Sequence, residues 1–361
     1  MSRAGESRRR SSTEAPEFAA EVRYRHRLAL QGEFTERLHS LLTVLLSAAD
    51  ISVAQVQGRT KSLDSLVEKI RRKDKYRDPL SEITDLTGIR IVTYYLEDVD
   101  RVTALLAKNF AVDVSGQDTN RSEAPGEFGY ESSHLVIRLA EQRAHLDEWQ
   151  KFAGLTAEIQ VRTVLQHAWA SISHKLIYKR EDQTPLPLRR SFARLSALLG
   201  VADEQFSSLA VQASQLEETY SKNVSSGELD LPLNPLSVQA YTTAPEVRSV
   251  LAQIAEHGGW RLLDEASSTA VIERDTHNLL EICQRLNLET VRQLAEAALS
   301  QEAPKTAMAI GAQHAADPVE ISAQDLLNRL LIVHRQVEAE ALRGMYARAD
   351  VHALLDPQWD G

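Results

Sequence analysis

The sequence predicts a mixed α/β domain followed by a mostly helical region, on three observations. The chain has 361 residues, about two domains' worth at roughly 100–200 residues each. Helix-period apolar patterns alternate with short β-branched runs through the first half, and the remainder from about Leu236 is rich in Ala and Leu and reads as mostly helical. The composition, 43% hydrophobic and 25% charged, is that of an ordinary globular protein.

Residues 1–15 are polar and Arg/Ser-rich and are expected to form a disordered arm. From Phe18 to Ser47, Val22, Leu28, Phe34, Leu38, Leu42 and Leu45 recur at helical spacing. Ser62 to Arg72 reads as a second helix with Leu63, Leu66, Val67 and Ile70 on its apolar side. Ile89–Tyr95 is a strand, Leu96–Asn109 a helix and Phe110–Val114 a second strand. Ser115–Glu131, with three Gly and a Pro, is a loop. Leu135–Leu139 and Leu155–Arg162 are two more strands, and Thr163–Lys179 is a helix. Pro185 and Pro187 precede a helix from Leu188 to Tyr220. The expected domains are therefore 16–220 and a helical 236–361, joined by a Ser/Gly/Pro linker over 221–235. Glu302–Pro318 reads as an interruption in the second.

Net charge is −10, of which −8 lies beyond residue 240. This excludes a generic nucleic-acid coat. Arg59–Arg77 nevertheless carries eight basic residues, either a solvated helix face or a site for a compact polyanion. No stretch approaches the roughly 20 apolar residues of a membrane helix. Nor does an apolar run follow Arg8–Arg10 as a secretory signal requires. With one cysteine, Cys283, a reducing cytoplasm is the expected location.

Five segments could carry chemistry. Arg59 precedes Lys61, Ser65 and Lys69, the last three spaced by four. On a helix that spacing makes one face, which can follow a polyphosphate or simply stay wet. Asp85 stands just before the strand bearing Arg90, where it could hold magnesium or be an ordinary turn residue. In Leu155–Arg162 the alternation puts Glu158, Gln160 and Arg162 on one face. Glu158 and Asp85 could share a metal, or one could accept a proton from an attacking hydroxyl. Tyr130 offers a stacking face for a base, and His134 lies four residues on; both also suit core packing. His167, Trp169, His174 and Tyr178 read as structural, since no i,i+4 His pair or nearby Cys is present.

In this order, the segments closely resemble the synthetase domain of the RelA/SpoT family of alarmone synthetases. The stretches are Arg59-x-Lys61-x3-Ser65-x3-Lys69, Asp85-Leu-x-Gly88-x-Arg90, Gly129-Tyr130-x-Ser132-x-His134 and Glu158-Ile-Gln160-x-Arg162-Thr163, then His167-x-Trp169-Ala170. The resemblance covers residues 59–179. It implies a small mixed β-sheet flanked by helices, a nucleotidyltransferase-like synthetase fold. The implied reaction moves the β,γ-pyrophosphate of ATP to the 3′-hydroxyl of GDP or GTP, making (p)ppGpp and releasing AMP. Arg59, Lys61, Ser65, Lys69 and Arg90 would bind ATP. Asp85 and Glu158 would be catalytic and hold Mg²⁺, with Glu158 as base. Tyr130, His134, Gln160 and Arg162 would bind the acceptor. No His-Asp hydrolase motif is present, so product hydrolysis is not expected.

The family's acceptor loop reads Pro-Lys-x-Asn-Gly-Tyr, whereas this chain has Pro125-Gly126-Glu127-Phe128-Gly129-Tyr130. That difference keeps open a toxic relative that pyrophosphorylates the 3′ CCA end of tRNA, restrained by its own C-terminal domain. A catalytically dead nucleotide-binding regulator is a third reading, opposed by the presence of both Asp85 and Glu158. The resemblance also leaves room for a homo-oligomer and for a protein trigger that binds residues 236–361.

Overall fold

The computed structural model describes residues 4–73, 76–113, 133–176, 185–264, 269–312, 320–335 and 337. The chain divides into two compact units, Met1–Ala210 and Val211–Gly361.

The first unit opens with α1 (Ala4–Ala48) and β1 (Val53–Thr60). Next come α2 (Leu63–Lys73), α3 (Pro79–Glu82), a 3-10 turn (Thr84–Leu86) and β2 (Thr87–Thr93). Then follow α4 (Leu96–Asn109), β3 (Phe110–Asp113), β4 (Ser133–Leu139), α5 (Glu141–Ala144), α6 (Asp147–Gln150) and β5 (Thr156–Thr163). It ends with α7 (Val164–Leu176) and the long α8 (Leu186–Ser225), which continues past residue 210. The five strands form one mixed sheet in the order β1-β2-β5-β4-β3. Only the β2–β5 pair is parallel; the other three pairings are antiparallel.

The period of two explains the two faces of this sheet. Ile89, Ile91, Leu135, Ile137, Ala157, Ile159 and Val161 point to one side and are fully buried. Phe34, Leu38, Leu42 and Leu46 of α1, spaced by four, and Val102 and Leu106 of α4 close the same core. Each Ile, Leu, Val or Phe among them contributes roughly 1.5–3 kcal/mol of burial. The opposite face carries the polar and charged residues.

Three expectations are corrected here. Residues 4–17 continue α1, where polarity predicted a disordered arm; the polarity hid a run of good helix formers such as Ala4, Glu6 and Arg8–Arg10. β1 was not anticipated, because its apolar residues, Val53, Ala54 and Val56, do not alternate. The stretch 221–235 is packed into the second unit. The helix runs to Ser225, Leu231 is buried, and the backbone of Leu231 and Leu233 bonds that of Val291 and Glu289. Its alternating Leu229, Leu231 and Leu233 outweigh the flanking Ser, Gly and Pro.

The second unit holds α9 (Pro235–Thr243), α10 (Pro245–His257), β6 (Arg261–Leu262) and α11 (Thr269–Arg285), then α12 (Val291–Ala298), α13 (Ala303–Gly311), β7 (Glu320–Ile321) and α14 (Ala323–His334). β6 and β7 pair in parallel as a two-stranded ribbon, which the sequence did not signal. Capping boxes at Asn234/Ser237 and Thr290/Gln293 start α9 and α12. α13 lies inside the expected interruption, because Ala303, Ala307 and Ile310 bury one small-residue face. A side chain at Gly311 would strike the backbone of Gly258 at 2.0 Å, so the two segments touch main chain to main chain. Among the described residues no helix is long and apolar enough to cross a membrane.

Candidate functional site

Asp85 sits in the 3-10 turn that feeds β2. Two lysines reach it from different elements. Lys61, in the turn between β1 and α2, donates from Nζ to Asp85 Oδ2 at 2.7 Å, and Lys69 of α2 donates to Oδ1 at 2.9 Å. The Lys61 side chain is only 6% exposed and that of Asp85 24%, so the pair is largely screened from water. Burial alone would raise the Asp85 pKa, but the hydrogen bonds and charges of Lys61 and Lys69 prevail and hold it below the usual carboxylate value.

The turn is anchored from outside. Lys61 N donates to Leu86 O at 2.9 Å, and the Tyr24 hydroxyl donates to Lys61 O at 2.6 Å. Gln31 of α1 donates to the Thr87 hydroxyl at 2.7 Å. These bonds tie the start of β2 to α1.

Register then assembles the polar face. Arg59 stands opposite Gly88, and Gly88 opposite Glu158. One step along, Gln57, Arg90, Gln160 and His134 form a second row across four strands. Between the rows opens a cleft of about 340 Å³ lined by Gln57, Gly58, Arg59, Asp85, Gly88, Ile89, Arg90, Glu158 and Gln160. Arg59 is exposed, and Arg90 points a guanidinium N–H at Gln57 Oε1, 3.4 Å away. Gln57 and Gly58 escaped the sequence reading along with the strand that carries them.

Along β5 a chain of hydrogen bonds links the charged groups. Arg162 Nη2 donates to Gln160 Oε1 at 2.6 Å, and Gln160 Nε2 donates to Glu158 Oε1 at 3.2 Å. His134 Nδ1 lies 3.1 Å from that same oxygen. A carboxylate only accepts, so Nδ1 carries the proton. The His134 bond does most to lower the Glu158 pKa; burial and the charge of Asp85 oppose it.

The structure thus brings Arg59, Asp85, Arg90, Glu158 and Gln160 to one cleft, with Lys61 and Lys69 behind Asp85. Besides these two lysines, three more predicted residues stand apart from its lining. Ser65 is exposed on α2 and bonds to Ser62, at 2.8 Å between hydroxyls. Arg162 is buried behind Gln160. His134 backs Glu158 from β4. Tyr130 and its loop lie outside the described residues. Trp169, read as structural, packs edge-on against Phe192 of α8, with ring centroids 5.4 Å apart.

Among the described residues no group of three or more His, Cys, Asp or Glu could hold a metal. The carboxylates of Asp85 and Glu158 are the hard oxygen donors a magnesium ion prefers, and both Asp85 oxygens are held here by Lys61 and Lys69, which a bound ion would displace.

Residues 58–183 match the family model described as "Region found in RelA / SpoT proteins". Two curated relatives align with the same part of the chain. GTP pyrophosphokinase YjbM of Bacillus subtilis (strain 168) is 29% identical over 175 residues, covering 48% of this chain and 79% of that protein. GTP pyrophosphokinase YwaC of the same organism is 28% identical over 157 residues, covering 42% and 71%. The crystal structure of small alarmone synthetase 1 from Bacillus subtilis superposes with a TM-score of 0.45 at 27% identity, covering 54% of this chain and 98% of that one.

Proposed function

We infer that the RelA/SpoT region of this chain is an ATP-dependent pyrophosphokinase that makes (p)ppGpp from GDP or GTP. The observation that carries this reading is the convergence of Asp85 and Glu158 on a cleft flanked by Arg59, Lys61, Lys69 and Arg90. The two relatives named GTP pyrophosphokinase support the choice of acceptor.

In the proposed reaction the acceptor's 3′-oxygen attacks the β-phosphorus of ATP. The bond from that phosphorus to the α–β bridging oxygen breaks, and AMP leaves with the bridging oxygen. Glu158 takes the hydroxyl proton. Lys61 and Lys69 neutralise phosphate charge, and Arg59 and Arg90 present flat guanidinium faces to the adenine. Asp85 and Glu158 would hold Mg²⁺, which supplies charge neutralisation when bound. Such transfer needs mainly in-line positioning and electrostatic stabilisation. The tRNA-directed alternative draws no support from the comparisons.

The test is transfer of label from γ-labelled ATP with Mg²⁺ to GDP, GTP, ATP and deacylated tRNA in parallel. Label in GDP or GTP is expected, and label in tRNA alone would overturn the reading. Glu158→Gln should abolish transfer while leaving binding of an ATP analogue intact.

A further inference from the structure

We propose that Arg162 and Gln160 are positioning residues that aim Glu158, rather than contacts to the acceptor nucleotide. This rests on the pyrophosphokinase reading above and adds an order of command along β5.

An amide side chain has one accepting end and one donating end. Arg162 occupies the accepting end of Gln160 with a short charge-assisted bond of 2.6 Å. The NH2 group is thereby turned toward Glu158 Oε1, 3.2 Å away. The reversed amide would set its carbonyl against the carboxylate. His134 donates to that same Oε1, so one carboxylate oxygen carries two donors. Oε2 has no hydrogen bond among the described residues and is the oxygen left for the reacting groups.

Asp85 presents the opposite case, since each of its oxygens already holds a lysine ammonium. The two carboxylates of the cleft are therefore not interchangeable, and the chain ending at Glu158 makes the difference.

Arg162 is placed for this task by its bond to Gln160. It is buried at 6% exposure, does not line the cleft, and its Nε has no partner among the described residues. Its neighbour Thr163 is locked by a 2.6 Å bond to Asp203 of α8, which fixes the strand beneath it. A lysine would keep the charge but not the planar fork that sets the amide.

The test compares full-length wild type with Gln160→Leu and Arg162→Lys. It measures kcat, KM for ATP and for the nucleotide acceptor, and the side-chain amide and guanidinium ¹⁵N resonances. Positioning predicts a fall in kcat of about 10–100-fold, as for other residues that orient a reacting group, with acceptor KM within about 2-fold of wild type. It also predicts that Arg162→Lys shifts the Gln160 amide resonances. An acceptor KM raised tenfold or more at unchanged kcat, or kinetics equal to wild type, would overturn it. Should Arg162→Lys fail to fold, Gln160→Leu at its partly exposed position carries the kinetic test. Wild type that transfers to no acceptor would refute the functional reading instead. The spectra would then decide, and Gln160 resonances unmoved by Arg162→Lys would refute the hydrogen-bond chain.

Discussion

Gly88 and Glu158 face each other across the parallel β2–β5 pair, and both line the cleft. A Cβ built on Gly88 meets nothing closer than the Arg59 carbonyl at 3.8 Å, and its backbone is not in the left-handed region. Gly88→Leu should therefore fold with a melting temperature near wild type yet weaken ATP-analogue binding at least tenfold. Calorimetric titration beside a thermal melt checks both halves.

The Lys61–Asp85–Lys69 cluster should be energetically coupled. Asp85→Asn leaves a buried ammonium without its acid and should cost roughly 1–3 kcal/mol, the usual penalty for a buried group that loses its partner. Lys61→Met combined with Asp85→Asn should cost less than the two single changes summed. Urea unfolding of the four proteins in this cycle gives the coupling.

The bond from Thr163 to Asp203 joins the end of β5 to α8, and both residues are at most 1% exposed. Thr163→Val removes the donor and should destabilise by about 1–3 kcal/mol. Thr163→Ser keeps the hydroxyl and should retain most of the stability. Denaturant midpoints separate the two.

Two tyrosines should govern alkaline stability. Burial, aided by the charge of Asp85, pushes the Tyr24 hydroxyl up to about 12, and burial does the same to Tyr241. An unfolded tyrosine titrates near about 10. Folding therefore favours the neutral form, so this stability is complete below about pH 10 and is lost as pH rises through about 12. Tyrosinate absorbance should show these two groups ionising late, and Tyr24→Phe should flatten the fall in unfolding midpoint over that window.

Much of this arrangement was legible in the residues. The alternation of Leu155–Arg162 named both the buried and the polar side of β5, and β2 declared itself through its β-branched run. The four-residue spacing of Lys61, Ser65 and Lys69 misled. Ser62 caps the helix, its hydroxyl accepting from Ser65 N at 3.3 Å, so the helix begins after Lys61 and the three do not share its face. Lys61 and Lys69 meet at Asp85 through tertiary folding, which periodicity does not encode. The partners of Glu158 were hidden for the same reason: register across β4 and β5, not distance along the chain, brings His134 beside it.

The side-to-side alternation of β5 has an evolutionary corollary. A one-residue insertion within the strand would turn Glu158, Gln160 and Arg162 into the oily interior and push Ala157, Ile159 and Val161 out into water. Scaffold and chemistry are thus written in the same eight letters. Descendants can lose activity by point change, but a frame slip here would forfeit the whole unit.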